Sequence, residues 1–187
     1  WLPSRWVAAA ARTGVRGMAR VFLAGESVTR AGPALEALAA TGRDATLDQL
    51  GEKVVNEAEA DAYADAVMAL VRGMGERFAG ARNGADLPRA HVSVKVSALS
   101  GDYDPDDPDG TWQRVGPRLL PLLREARRLR ACIQLDAEHY AVRDLTFAML
   151  QRALAEPDLR DWRDVGIVVQ AYLRDAPAHL DAVLDLA

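Results

Sequence analysis

Residues 91–99, HVSVKVSAL, alternate Val92, Val94 and Val96 with Ser93, Lys95 and Ser97. A period of two predicts a strand that sends three β-branched side chains to one face and a lysine flanked by hydroxyls to the other. In an antiparallel sheet the polar face would look at water; in a closed parallel barrel it would line the interior near the mouth. The remaining pattern favours the barrel. Helical spacing is read over residues 5–24, 32–40 and 57–80, the last through Tyr63, Val67, Leu70, Met74 and Phe78. Ser27 is placed to cap the second of these helices and Gly42 to stop it. Another apolar stripe runs through Trp112, Val115, Leu119, Leu122, Ala126 and Leu129, with a break or a late start expected at Pro117 and Pro121. A helix over 143–155 and a terminal one opened by Pro177 complete the set.

Between the helices lie three further strand candidates: ATLDQLGE at 45–52, IQLDAEHY at 133–140 and GIVVQAYL at 166–173. Strands are thus expected to begin near 45, 91, 132 and 166, each separated from the next by a helix, which is the pattern of parallel β-α units. Doubly wound sheets alternate in the same way, but they usually carry a glycine-rich turn after the first strand, and LGEKVVNE has none. The expected fold class is therefore α/β, a parallel (β/α) barrel of TIM type. A complete barrel takes about 250 residues. Four units are visible, so the chain is read as a helical arm, 1–44, followed by about the first half of a barrel, 45–187. It opens on Trp1 and stops within the helical pattern Leu180, Val183, Leu184, Ala187, so it is expected to be a piece of a longer protein.

Composition narrows the function classes. Half of the 187 residues are hydrophobic and 27% are charged, as in ordinary globular domains. A net charge of -4 argues against a broad nucleic-acid-binding face. The lone Cys132 allows neither an internal disulfide nor a cysteine zinc site, and a cytoplasmic location is the default expectation. His91 and His139 lack metal-ligand spacing, His179 reads as a helix-surface residue, and no metal is expected. The tryptophans read as packing residues.

Polar residues at the carboxyl ends of barrel strands converge on one mouth. Here they are Glu52, Lys95, Asp136 and Gln170. An ammonium, a carboxylate and an amide in a common space suit an anionic or zwitterionic small molecule. Structural readings stand beside this one: Lys95 on a solvated edge, Asp136 as a cap or turn residue, Glu138 as a helix-start acid. Gln170, set in an apolar run, requires a partner, because an unpaired buried amide costs ~1–3 kcal/mol. Tyr172 either lines the mouth or packs under a helix.

Four motifs, LDQLGE, VSVKVSAL, IQLDAEHY and GIVVQAYLRDAP, occur in an order and spacing that resembles proline dehydrogenase, the flavin-containing barrel of proline utilisation A and its bacterial relatives. FLAGES, ahead of the first strand, fits the same family's arm. The resemblance covers about residues 20–187. It implies noncovalent FAD, oxidation of L-proline to Δ1-pyrroline-5-carboxylate, and a quinone electron acceptor that would bring the parent protein peripherally to the inner membrane. By position, Lys95 resembles the lysine that binds the proline carboxylate and Asp136 the essential aspartate beside flavin and substrate. Ala137 and Gln170 match flavin contacts, and Glu52 resembles an acid that gates the site. The family's later arginines and its dinucleotide contacts do not occur in this sequence, so these 187 residues alone are expected neither to hold FAD tightly nor to turn over proline. Two rival readings are a Schiff-base lyase with Lys95 as nucleophile and a half-barrel that acts only through association, with the missing half or another copy.

Overall fold

The computed structural model describes residues 11, 14, 15, 17, 18, 23–51 and 54–186. Most of the first expected helix, and Glu52, lie outside these residues. The chain divides into two units, Trp1–Asp44 and Ala45–Ala187. Within the first, helix α1 spans Val28–Ala40, and the Ser27 side chain accepts a hydrogen bond from Arg30 N at 3.3 Å as its cap.

The second unit is a four-stranded parallel sheet in the order β1-β2-β3-β4, formed by Leu47–Asp48, His91–Val94, Cys132–Leu135 and Val165–Ile167. Helices α2 (Glu57–Phe78), α3 (Pro108–Arg128) and α4 (Arg143–Leu154) separate successive strands, and α5 (Ala176–Leu184) follows the last. Strand starts at 47, 91, 132 and 165 match the alternation expected from the sequence. Val92, Val94, Ile133 and Leu135 of the strands are buried, as are Val67, Val71 and Met74 of α2 and Leu119, Leu122 and Leu123 of α3, and these side chains make the core. At ~1.5–3 kcal/mol per buried aliphatic side chain, it is the main force holding helices to sheet.

Local signals account for the helix ends. Asn56 Oδ1 accepts from Glu59 N at 2.9 Å while Glu59 Oε2 accepts from Val55 N at 2.9 Å, a reciprocal cap for α2. Its buried stripe passes through Val71, leaving Leu70 half-buried. The break expected in α3 is absent: the helix is continuous through Pro117 and Pro121. Both prolines lie on its exposed face, so the carbonyls deprived of their usual N–H partners face the solvent side.

The strands are shorter than their patterns. β2 ends at Val94 and residues Val96–Leu99 form a 3-10 turn, so the alternation of 91–99 is regular strand for only its first half. β3 stops at Leu135 and β4 at Ile167, though Asp136 N still donates to Val94 O and Val168 N to Leu135 O. His179 is buried with its ring edge-on to Phe147 at 5.5 Å between centroids, which corrects its reading as a surface residue. Cys132 is half-buried, and desolvation, followed by the nearby Asp164 carboxylate, pushes its thiol up to about 12.

Candidate active site

Register explains which residues meet. Ser93 pairs with Gln134, and Gln134 with Gly166. Two residues further on, Lys95 and Asp136 repeat the same facing direction at the carboxyl ends of β2 and β3. Four residues past the paired positions come Ser97, Glu138 and Gln170. The mouth is therefore built in two tiers, one carrying the lysine and aspartate, the next a serine, a glutamate and a glutamine.

In the first tier, Lys95 Nζ lies 2.5 Å from Asp48 Oδ2 and 3.6 Å from Asp136 Oδ2. The lysine side chain retains 25% of its accessibility and the two carboxylates 39% and 31%, so the group is open to a small solute. Asp136 Oδ1 accepts from Ala137 N at 2.9 Å, which fixes its rotamer. The Lys95 N–H donates to the Tyr63 hydroxyl at 2.9 Å, tying the lysine's backbone to the buried face of α2. Burial, abetted by the carboxylates of Asp48, Glu138 and Asp136, pushes the Tyr63 phenol above its ordinary value. The phenol stays protonated and neutral.

In the second tier, Ser97 Oγ donates to Glu138 Oε1 at 2.7 Å and Ser97 N to Glu138 Oε2 at 3.3 Å. Gln170 Nε2 donates to the Glu138 carbonyl at 3.0 Å. The partner that Gln170 required is thus a main-chain carbonyl at the end of β3. A cleft of about 630 Å³ opens beside these tiers, lined by Gly51, Val54, Lys95, Ser97, Glu138 and His139 among others. Its outer wall is braced by Glu57, which accepts from Gly101 N at 2.9 Å and from the Arg118 guanidinium at 2.6 Å. The Arg118 bond, then the Gly101 amide, holds the Glu57 carboxyl below the usual carboxylate range.

Of the residues singled out from sequence, Lys95 and Asp136 meet directly, Ala137 adjoins them, and Gln170 joins through Glu138. Glu52 lies outside the described residues. Tyr172 is 80% exposed, so it does not pack under a helix. Sequence reasoning missed Asp48, the nearest partner of Lys95, although its place in LDQLGE at the end of a strand was the signal. It also left Glu138 an alternative reading as a helix-start acid, whereas its carboxylate faces the turn after β2. Among the described residues no cluster of three potential metal ligands forms, and no helix is long and apolar enough to cross a membrane.

The family model for proline dehydrogenase matches residues 31–187. The chain belongs to the proline dehydrogenase family. It is 30% identical over 174 residues to the bifunctional protein PutA of Escherichia coli strain K12, covering 92% of this chain and 13% of that protein. Proline dehydrogenase 1 of Bacillus subtilis strain 168 is 24% identical over 173 residues, which span 92% of this chain and 50% of the relative. Among solved structures, proline utilization A from Bdellovibrio bacteriovorus, inactivated by N-propargylglycine, superposes with a TM-score of 0.83 at 29% identity, covering 97% of this chain and 20% of that one. The fold is accordingly part of the TIM-like barrel of proline dehydrogenase domains, and the chain spans half or less of the length of these relatives.

Proposed function

We propose that this chain supplies the first four β-α units of a barrel that oxidises L-proline to Δ1-pyrroline-5-carboxylate. The observation that carries the reading is the Lys95 ammonium held between Asp48 and Asp136 at the mouth of a family barrel. Lys95 binds the substrate carboxylate, displacing part of its contact with Asp48. Asp136 faces the secondary amine, whose positive charge it complements before oxidation. Together they set the ring's orientation, and positioning of this kind is the protein's main contribution to such a reaction.

FAD is the oxidant this reading requires, and the residues fit it. Ala137 and Gln170 sit at neighbouring strand ends, and Gln170, whose amide nitrogen donates to Glu138, keeps an amide oxygen that can accept from a ring N–H. When bound, the flavin would accept the electron pair and hydrogen from the carbon beside the ring nitrogen. A quinone would be the final electron acceptor, and the same reading would have a cytoplasmic protein meet the inner membrane surface to reach it. Glu52 is proposed as the acid that gates the mouth.

Anaerobic addition of L-proline to the full-length gene product tests this. Bleaching of a flavin spectrum with formation of the cyclic imine supports the reading. A colourless protein, or trapping of a carbonyl substrate on Lys95 by borohydride, supports the lyase instead.

A further inference from the structure

We propose that Glu138 is a positioning residue for Lys95, a role that rests on the proline-oxidising function above. Its carboxylate takes both the hydroxyl and the amide N–H of Ser97, at 2.7 and 3.3 Å, two residues beyond the lysine. Its own carbonyl takes the Gln170 side chain at 3.0 Å. One residue at the end of β3 therefore fastens the chain leaving β2 and the chain leaving β4. Both segments lie past the regular strands, which end at Val94 and Ile167, and the ladder reaches only as far as the bonds from Asp136 N to Val94 O and from Val168 N to Leu135 O. The Lys95 backbone is fixed by its N–H, which donates to the Tyr63 hydroxyl, and by its carbonyl, which accepts from Ala98 N of the 3-10 turn at 3.1 Å, so the placement of the lysine depends on how firmly that turn is itself held. A two-point, charge-assisted clamp on the following turn removes the freedom that would let the ammonium drift from the Asp136 carboxylate.

The two halves of Glu138 act separately. Truncation of the side chain removes the hold on Ser97 and leaves the main-chain carbonyl for Gln170. Loss of Lys95 placement should then appear in substrate binding while the cofactor spectrum stays as it was.

Steady-state kinetics of the full-length gene product with L-proline test the role. Glu138→Ala should raise KM about tenfold, with kcat changed less; Ser97→Ala, which keeps the main-chain N–H bond, should raise it less, and the double variant should be no worse than Glu138→Ala alone. Glu138→Gln, which keeps an oxygen acceptor for Ser97, should recover most of the loss. In a Lys95→Met background Glu138→Ala should change KM less than about twofold, which a general weakening of the fold would not give. Wild-type protein inert toward proline overturns the function and this role with it. Active wild type combined with an unchanged KM in Glu138→Ala, or an equal rise with and without Lys95, overturns the positioning role alone. If Glu138→Ala does not fold, Ser97→Ala in the two backgrounds decides in the same way.

Discussion

Lys95 and Asp48 form the closest ion pair of the mouth, 2.5 Å between Nζ and Oδ2, across the parallel pairing of β1 with β2. β1 contributes only two residues to the sheet, yet one of them is the lysine's nearest counter-charge. The pair joins substrate binding to the integrity of the first strand. Because both side chains are partly exposed, its contribution is small, ~1 kcal/mol. Because the substrate carboxylate displaces part of that contact, Asp48→Ala should lower the proline KM of the full-length gene product by up to roughly fivefold, Lys95 keeping Asp136 as its remaining counter-charge. An unaltered KM in steady-state assays would show that Asp48 is a bystander.

Gly101 stands where the chain after the 3-10 turn presses on the start of α2. A Cβ built there would come within 2.8 Å of Asn56 Cα and 2.9 Å of Asn56 N, and backbone cannot swing aside as a side-chain tip can. Gly101→Ala should destabilise the protein by ~1–3 kcal/mol through overpacking and loosen the Glu57 brace behind the cleft. Urea unfolding of the variant beside wild type measures this directly, and equal midpoints would contradict it.

Acid sensitivity should begin with His91. Burial holds its imidazole below the ordinary value, Nε2 has no hydrogen-bond partner, and Nδ1 lies 3.2 Å from Thr46 Oγ1. Because the native pKa is depressed, the unfolded state takes up more protons once the pH drops below about 6.5. Stability is then full above that value and falls as the pH moves down toward the native pKa. The carboxylates held by arginines act lower. Glu125, bound by Arg128 and then Arg72, is lowered to about 2, so its contribution is lost only as the pH falls from about 4.5 toward that value. Chemical unfolding at about pH 7 and about pH 5.5 should show a loss for wild type that His91→Gln does not share. Parallel losses in both would assign the effect elsewhere.

Strand starts and the helical alternation were legible in the sequence because parallel strands favour continuous apolar runs, as in GIVV, whose residues are half-buried here, and because amphipathic spacing marks α2 and α3. Strand ends were not. The polar residues that make the mouth, Lys95, Asp136 and Gln170, lie where pairing has ended or is ending, and alternation continues in the text of the sequence after hydrogen bonding has stopped. Side-chain direction at such ends is set by partners distant in sequence: Ser97 with Glu138 is a separation of 41 residues and Lys95 with Asp48 one of 47. Period alone does not encode those pairings. The helical break expected in α3 failed for a related reason, since Pro117 and Pro121 four residues apart share one exposed face, which the pattern permitted but did not require.

The clamp on the substrate carboxylate is tested most directly by comparing L-proline with pyrrolidine, its counterpart lacking that carboxylate, as anaerobic reductants of the flavin-loaded, full-length gene product and its Lys95→Met variant. Wild type should be reduced much faster by proline, and Lys95→Met should lose about tenfold or more of that preference, as expected when one member of a charge pair is removed. A folded, flavin-loaded Lys95→Met protein that still discriminates between the two amines as wild type does would contradict the assignment of Lys95, and with it the reading of the mouth.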